Sequence, residues 1–586
     1  MRGGSIGVAI AAVVAALPNP ARAVVGFDID SNGDIDNAIV LNDVVSASTL
    51  YSSTTYTPTI FGGAFSISFN GDFGQGSTVA VIDLGLVDNT NPALTNVSTY
   101  SNINLPATPP GNLVGDHATA VAQFAAGLNS STSDNLIYLT DIGIAPLATL
   151  WSGSIIDSGD PNGVNQQTTD SVAYPFVQFM QTGVNGTTAD VVNVSLGAQN
   201  VPASSDFFSN LIDGLAAQNP HTTVAIAAGN DGAPAAGAVT GTVNSPGTAF
   251  NGITVGALAS DPTLAYQGIS DYSSRGNADF FNPVTGQTLY GMRPAVDLVA
   301  PGDYFITSAT PIADEPGYYS IDYGAGTSFA TPLVSGAVAQ LDAYAHTIQQ
   351  LVGQPGLDAT DSRVIKAVLL NSADKLPGWN NGQSMINGVL TTSQGLDSTL
   401  GAGALNVSRA ADNYLNGAFD PQVVGSAFVG PKGWDLSTVT AGSPNIYDLG
   451  QLTAGQTLTA TLDWFADDTY DSTSNTPSIN RFANLDLEVL ENLGPNDTQE
   501  IALSDALYNN VQQLSFTLND TADYELEVVY AGVQFDSTIY PVDALNPGDS
   551  EEYGLAWSNV LVPEPVELAL IAPLFLLFRR RRNARP

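Results

Sequence analysis

Short apolar runs recur through the first half of the chain, and glycine, asparagine or aspartate residues lie close to their ends. The runs are rich in β-branched residues, and polar positions do not alternate with apolar ones. Strands of a parallel sheet that is covered on both faces have this continuous apolar character. The runs therefore predict a doubly wound, mostly parallel α/β core, with strands over 78–82, 191–194, 223–227, 253–255 and 296–299.

Two other stretches have the small residues of buried helices. Gly115-Asp116-His117 opens the run A-T-A-V-A-Q-F-A-A-G, which places His117 at a helix start. Farther on, Y-G-A-G-T-S-F-A-T-P-L-V-S-G (323–336) is a glycine-rich turn that leads into a helix, since Pro332 is tolerated only near a helix start. Ser328 then lies in the first helical turn, where free N–H groups and the helix dipole favour negative charge.

From about Phe419 the pattern changes to an alternation of apolar and polar positions. Strands of this kind have one buried face, as in antiparallel sheets. The region 419–560 is therefore predicted to be an all-β sandwich domain that follows the α/β core. The alternating positions are Leu458, Ala460, Leu462 and Trp464 between Thr457, Thr459, Thr461 and Asp463, and Tyr524, Leu526, Val528 and Tyr530 between Glu525 and Glu527.

Composition narrows the functional classes. At 586 residues the chain exceeds what one hydrophobic core usually supports, so two folded domains with tails are expected. A formal net charge of −41 repels nucleic acid and anionic membrane, and it favours solubility or divalent-cation binding. The chain has no cysteine, which excludes disulfides, thiol catalysis and cysteine-bound zinc.

The N-terminus has the pattern of an export signal. Arg2, an apolar run over 6–17 and Ala21-Arg22-Ala23 predict a signal peptide over residues 1–23, cleaved after Ala23. The mature protein is therefore expected outside the cytoplasm.

An acidic N-terminal extension over 24–75 follows, and it contains the pattern D-x-D-x-N-G-D-x-D. Oxygen ligands at alternate positions around a turn-forming glycine suit calcium. The twelfth position of an EF-hand frame is Ile39 instead of glutamate, which argues against a complete EF-hand. The segment is either a structural Ca²⁺ site or a solvated acidic loop. The candidate ligands are Asp28, Asp30, Asn32, Asp34 and Asp36.

Three residues have local settings suited to nucleophilic catalysis. Asp83 follows the first predicted strand, His117 opens a helix and Ser328 lies in a helical first turn. Of the other histidines, His221 lies in the loop N-P-H-T-T and His346 lies far down the helix that begins near Ser328. Taken alone, the glycine-flanked serine could equally be a packing feature, and Asp83 could equally be a helix cap.

The heptapeptide G-T-S-F-A-T-P resembles the nucleophile motif of the subtilisin-like serine peptidases, and so does the chain order Asp, His, Ser. The resemblance spans about 77–415 and places a subtilisin-like catalytic domain over 76–418. Further similar blocks are G-I-A-P-L-A-T-L from Gly143, D-V-V-N-V-S-L-G from Asp190, A-I-A-A-G-N-D-G from Ala225, I-T-V-G-A from Ile253, S-D-Y-S-S-R-G from Ser270, V-A-P-G from Val299 and G-A-G-A-L-N from Gly401.

The resemblance implies a serine endopeptidase that hydrolyses peptide bonds of protein or peptide substrates through an acyl-enzyme. Asp83, His117 and Ser328 would form its triad, and the chemistry requires no cofactor. Asn230 would be the side-chain oxyanion donor. Ser195, Leu196 and Gly197 match the family's substrate-binding segment, although Ser195 alone could simply cap a turn.

Two positions depart from the family pattern. Leu84 follows the aspartate where the family usually has serine or threonine, and Ala118 gives H-A-T where the family has H-G-T. Neither change removes a reacting group. The alternative function is a noncatalytic surface-binding protein that retains the subtilase fold.

The C-terminal stretch 561–586 contains V-P-E-P-V-E, an uncharged run over 568–578 and four arginines from Arg579 to Arg582. The run is shorter than the ~20 residues of a spanning helix, and the arginines favour a cytoplasmic C-terminus. The stretch resembles the PEP-CTERM sorting signal of Gram-negative and related bacteria. It implies transient membrane association and cleavage by a sortase-like enzyme.

Overall fold

The computed structural model describes residues 27–29, 35–38, 73–104, 114–127, 143–157, 167–197, 206–259, 266–303, 305–311, 319–352, 358–494, 497–537 and 548–561. Its α-helices are α1 (Asp116–Ala126), α2 (Thr169–Phe176), α3 (Phe207–Gln218), α4 (Thr327–Val352), α5 (Ser362–Ser372) and α6 (Val407–Asn416). A π-helical segment, Val177–Thr182, continues α2, and short 3₁₀ turns cover Pro92–Leu94 and Asp358–Thr360.

The strands of the first part of the chain are β1 (Phe27–Ile29), β2 (Ile35–Ala38), β3 (Thr78–Asp83), β4 (Val97–Ser101), β5 (Thr149–Ser154), β6 (Val191–Val194), β7 (Thr223–Ala227), β8 (Ile253–Leu258), β9 (Asn277–Asn282), β10 (Gln287–Pro294), β11 (Leu298–Pro301), β12 (Phe305–Pro311) and β13 (Tyr319–Gly324). The strands of the second part are β14 (Ser384–Ile386), β15 (Val389–Thr392), β16 (Ala418–Phe419), β17 (Ser426–Phe428), β18 (Lys432–Thr440), β19 (Asn445–Leu452), β20 (Gln456–Trp464), β21 (Asp467–Asp471), β22 (Thr476–Gly494), β23 (Asp497–Ser504), β24 (Val511–Thr517), β25 (Ala522–Asp536) and β26 (Ser550–Leu561).

A seven-stranded parallel sheet forms the centre of the first part, in the order β11-β8-β7-β6-β3-β5-β4. Alternate residues of its strands enter different cores. Val79 and Val81 of β3 pack on the side of α1 and α4, whereas Ala80 and Ile82 pack on the side of α2 and α3. The sheet is thus covered on both faces, which confirms the predicted doubly wound α/β core.

Four of the five predicted strands coincide with observed strands to within a few residues at their ends. The fifth was placed too early, because the ladder of β11 begins where Leu298 pairs with Val255. Val296 is nevertheless buried, since it contributes to a neighbouring core cluster. β4 and β5 had not been predicted.

The second part is β-rich, as predicted, and consists of two facing sheets. One sheet has eight strands in the order β14-β15-β23-β22-β25-β19-β17, with β21 paired to β22. The other has five strands in the order β16-β18-β26-β20-β24. Trp464, Trp557, Tyr447 and Tyr524 are among the large side chains that fill the core between the sheets.

The expectation of a single buried face is wrong for β20. Its polar residues Thr459, Thr461 and Asp463 are as buried as their apolar neighbours. The reason is that the five-stranded sheet packs its other face against α5, which belongs to the first part of the chain. All eleven residues of α5 are consequently buried.

β1 and β2 form a small antiparallel hairpin in the N-terminal extension, with Ile29 opposite Ile35. Of the predicted calcium ligands, Asp28 and Asp36 lie on these strands, while Asp30, Asn32 and Asp34 lie outside the described residues. Across the described part of the chain, no helix is long and apolar enough to cross a bilayer. The predicted signal peptide and the sorting signal after residue 561 lie outside that part.

Candidate active site

Asp83 and His117 meet where β3 ends and α1 begins. Asp83 is buried, and its Oδ1 accepts a hydrogen bond from the backbone N–H of Leu84 at 2.6 Å. Its Oδ2 lies 2.7 Å from Nδ1 of His117. This contact fixes the imidazole at Nδ1. The His117 side chain is 44% exposed and lines a surface cleft.

The pKa of His117 is raised above its ordinary value of 6.5. Burial alone would lower this pKa, because it disfavours the imidazolium. The hydrogen bond and the negative charge of Asp83 outweigh the burial, since both stabilise the protonated ring. The pair therefore holds a histidine that binds a proton more readily than a free imidazole does.

Ser328 lies in the first turn of α4, as predicted, and is half-buried. Its Oγ donates to the carbonyl oxygen of Ser195 at 3.1 Å. Among the described residues it makes no hydrogen bond to His117, although the ring of Phe329 lies 5.9 Å from the His117 ring, centroid to centroid. The start of α4 and the Asp83–His117 pair are therefore neighbours, with the Ser328 hydroxyl turned toward the end of β6.

A chain of side-chain hydrogen bonds ties β6 to α4 beside Ser328. Ser195 donates from Oγ to the carbonyl oxygen of Ser328 at 2.9 Å and accepts from Nδ2 of Asn193 at 2.9 Å. Asn193 in turn accepts from Ser335 Oγ at 2.9 Å. The sequence analysis did not single out Asn193, although a lone polar residue inside an apolar strand is a signal that could have identified it.

Asn230 is held by its amide oxygen. Its Oδ1 accepts from the backbone N–H of Thr327 at 2.9 Å and from the Thr327 hydroxyl at 3.1 Å. Within the described part of the chain its Nδ2 has no hydrogen-bond acceptor, so the donor remains available. Thr327 also accepts from the N–H of Gly229 at 3.1 Å, a linking role that the sequence analysis missed although Thr327 belongs to the G-T-S motif.

Close backbone packing positions the turn before Ser328. The N–H of Gly326 donates to the carbonyl of Gly302 at 2.7 Å. A Cβ on Gly302 would lie 2.4 Å from the Cβ of Ala257, so only glycine fits there. In the same way, a Cβ on Gly336 would lie 2.5 Å from that of Ile144, which explains how α4 comes so near the segment after α1.

A cleft of about 420 Å³ opens beside His117. It includes all three residues of the predicted substrate-binding segment. Its apolar lining residues include Leu84, Ile155 and Leu196, and the exposed Asp116 is among its polar ones. The lining residues are Asp83, Leu84, Gly85, Gly115, Asp116, His117, Ala118, Ile155, Gln167, Val172, Ser195, Leu196, Gly197 and Phe208.

The sequence profile described as the subtilase family matches residues 74–403, which is more than half of the chain. The chain belongs to the subtilase family. The match covers the seven-stranded sheet, the Asp83–His117 pair and the start of α4. It ends before the two facing β-sheets are complete.

This subtilase is also similar to a protein named extracellular protease from Xanthomonas campestris pv. campestris. The two are 27% identical over 233 residues, which make up 40% of this chain and 30% of the relative. The chain thus spans less than a third of the length of that curated relative.

The two departures from the family pattern have different surroundings in this subtilase. Both residues line the cleft, but Leu84 is 49% exposed, whereas Ala118 is buried in α1. Neither side chain contributes a polar atom to the site. Among the described residues, no group of three or more histidine, cysteine or carboxylate side chains is arranged to hold a metal ion.

Proposed function

We propose that this subtilase is an exported serine endopeptidase in which Ser328 is the nucleophile, His117 the general base and Asp83 the residue that orients the imidazole. The observation that carries the proposal is the 2.7 Å contact between Asp83 Oδ2 and His117 Nδ1 at the edge of the cleft. With Nδ1 engaged, Nε2 is the ring nitrogen left to exchange protons with the serine.

Acylation begins with a rotation of the Ser328 hydroxyl away from the Ser195 carbonyl and toward His117. Catalytic hydrogen bonds of this kind often form only when substrate is bound. His117 takes the hydroxyl proton as Oγ attacks the scissile carbonyl carbon, and it then gives that proton to the leaving amine. In deacylation His117 takes a proton from water as the water oxygen attacks the acyl carbon. It then returns a proton to Ser328 Oγ, which releases the acid product.

The tetrahedral intermediate carries a negative oxygen that needs hydrogen-bond donors. The free Nδ2 of Asn230 supplies one, because Thr327 occupies its amide oxygen and so fixes which end of the amide faces outward. The backbone N–H of Ser328 supplies the second, in the donor-rich first turn of α4. A donor of this kind is worth about 3 kcal/mol of transition-state stabilisation.

Substrate binding falls to the segment that follows β6. Leu196 and Gly197 line the cleft and are accessible. An extended peptide can pair with such a segment through main-chain hydrogen bonds, which gives broad sequence tolerance. The apolar lining that includes Leu84 and Ile155 favours substrates with an apolar side chain beside the scissile bond.

The two terminal segments indicate where the protein acts. Residues 1–23 direct export, and the P-E-P motif with its apolar run and arginines holds the C-terminus in the membrane until a sortase-like enzyme cuts near Pro565. The product is an acidic protease at the cell surface or outside a Gram-negative-type cell. The relative named extracellular protease supports this location. Calcium at Asp28–Asp36 would stabilise the extension of the mature protein.

The test is fluorophosphonate labelling of the secreted protein, followed by casein hydrolysis. The wild type is expected to be labelled, and Ser328→Ala is expected to be neither labelled nor active, because the acyl-enzyme cannot form. His117→Ala should lose several orders of magnitude in hydrolysis.

His346→Ala is the matched histidine control, since His346 is also half-exposed but lies 3.7 Å from Asp190, on the far part of α4. It should retain activity. Full activity of Ser328→Ala would contradict the proposal, and a folded wild type that neither labels nor hydrolyses casein would favour the noncatalytic surface-binding alternative.

A further inference from the structure

The outward face of β22 carries a row of polar side chains. Leu485 and Leu487 pack in the core between the two β-sheets. Because side chains alternate along a strand, Asn484, Asp486 and Glu488 lie on the opposite face. This face is turned away from the core that the two sheets share.

Asp505 directly follows β23 and lies beside Asp486 of β22. β22 and β23 are antiparallel, and Leu487 pairs with Ser504. One residue beyond this pair come Asp486 and Asp505, so the two carboxylates stand side by side on the outward face. In the described part of the chain, the Oδ1 atom of each is buried and has no hydrogen-bond partner.

Asn484 adds a third oxygen. It is only 6% exposed, and its Oδ1 is likewise buried without a donor among the described residues. It lies two positions before Asp486 on the same face of the strand. A buried polar atom without a partner is costly, so three such oxygens close together favour the binding of a cation.

Among the described residues, no lysine or arginine forms an ion pair with Asp486, Asp505 or Glu488. The sequence has no lysine or arginine between Arg481 and Arg579. Arg481 itself is engaged by Asp467 and Glu551. Burial, together with the negative charges of Asp505 and Glu500, raises the pKa of Asp486 to about 7.

The rest of the face is also acidic. Glu488 stands directly opposite Glu527 on β25, and Asp448 of β19 stands opposite Glu525. Like charges directly opposite each other destabilise a sheet. A cation bound on this face would therefore be attracted by these carboxylates as well as by its direct ligands.

We propose that Asp486, Asp505 and Asn484 bind a calcium ion on the outward face of the eight-stranded sheet. The donors are two carboxylates and one amide oxygen, which suit a hard cation and offer no nitrogen or sulfur to a transition metal. Calcium takes six to eight oxygens, so water completes the shell. This site is separate from the acidic N-terminal extension and does not depend on the proteolytic function.

The experiment uses the full mature chain carrying Ser328→Ala, which prevents self-digestion, and Asp28→Asn/Asp34→Asn, which removes the N-terminal acidic ligands. Calcium is titrated calorimetrically in the 0.1–10 mM range, since calcium sites of extracellular modules have dissociation constants of about 10⁻⁴–10⁻³ M. Thermal midpoints are measured in excess chelator and in 10 mM calcium, which is about ten or more dissociation constants. We expect one saturable site and a higher midpoint with calcium.

Asp486→Asn/Asp505→Asn in the same background separates a ligand role from mere repulsion. It should abolish the binding heat and the calcium-dependent midpoint, yet be more stable than its parent in chelator, because two repelling carboxylates are removed. Asp497→Asn, an exposed carboxylate at the β22–β23 turn, is the matched control and should behave as the parent does. Saturable calcium binding that survives in the double variant would overturn the proposal, and so would a parent that binds no calcium.

Discussion

At the scale of single residues, the contact between Asp83 and His117 sets the protonation of the candidate base. The base must be neutral to accept the serine proton. Because the pKa of His117 is raised by Asp83 in spite of burial, the imidazole becomes protonated at a higher pH than an isolated histidine. We therefore expect this pair to set the acid limb of the pH profile of hydrolysis.

The pH dependence of kcat/KM follows from the upward shift of the His117 pKa. As pH falls through the raised pKa of His117, the base is lost, so we expect the acid limb of the profile to lie above pH 6.5. In Asp83→Asn the upward effect disappears and burial remains, so the limb should move to lower pH, with kcat reduced by about 10⁴-fold. The measurement is a profile of peptide hydrolysis from pH 4 to 10. An unshifted limb in the variant would show that Asp83 does not control the base.

At the scale of elements, α4 connects the packing of the core to the candidate nucleophile, Ser328. Its N-terminal turn carries Ser328, and two turns later Gly336 packs against Ile144 and the carbonyl of Ala125 in α1. The approach is so close that the backbone positions of the two helices are coupled. A change in the middle of α4 is therefore expected to reach the active site.

Gly336→Ala tests this coupling. The added methyl would lie 2.5 Å from the Ile144 Cβ and 2.8 Å from the Ala125 oxygen, so α4 must shift. Overpacking of this kind costs about 1–3 kcal/mol, and we expect a lower thermal midpoint together with a lower kcat. Differential scanning calorimetry and peptide hydrolysis measure the two effects. A variant with an unchanged midpoint and full activity would show that the helix accommodates the methyl without moving.

The elements also show what the sequence could and could not predict. Thr223–Ala227 was predicted with its observed bounds, because a strand buried on both faces is apolar at every position. β5 was missed because Ser152 and Ser154 interrupt its apolar run, and their hydroxyls are used inside the protein: Ser152 accepts from the N–H of Val87, and Ser154 donates to the carbonyl of Leu84. Internal hydrogen bonding of this kind leaves no pattern in the sequence.

Part of the candidate site could likewise be predicted from the sequence, and part could not. Asp83, His117 and Ser328 could be singled out as candidates because each lies at a recognisable element boundary, and the resemblance to the family's motifs then suggested their roles. The hydrogen bonds from Thr327 to Asn230 and from Ser195 to the Ser328 carbonyl join residues about a hundred or more positions apart, and only the fold brings them together. For the same reason, the buried polar face of β20 was read as a solvent face.

At the scale of the whole molecule, a buried lysine connects the α/β part to the β-sheets. Lys366 of α5 lies 3.4 Å from Asp297 beside the parallel sheet and 3.4 Å from Asp463 of β20. It also donates to the carbonyls of Phe250 and Gly252 at 3.1 and 2.9 Å. One cation thus balances carboxylates from both parts of the chain.

Lys366→Met should therefore destabilise the whole protein. It leaves Asp297 and Asp463 buried without their cation, and removal of one partner of a buried ion pair costs about 3–5 kcal/mol. Lys432→Met is the matched control, since Lys432 pairs with the exposed Asp412, and a surface pair contributes about 0–1 kcal/mol. The measurement is the thermal midpoint in the Ser328→Ala background. Equal midpoints for the two variants would show that Lys366 does not link the two parts.

The position of β26 has a consequence for the order in which the protein can be assembled. β26 (550–561) lies between β18 and β20, at the centre of the sheet that covers α5. During synthesis the residues of the α/β part emerge before β26, and N-terminal parts of a chain fold first. Until β26 arrives, α5 has no complete sheet to pack against, and Arg363 lacks its contacts with Glu552. The α/β part therefore reaches its final packing only after β26 has been synthesised, long after α5 itself.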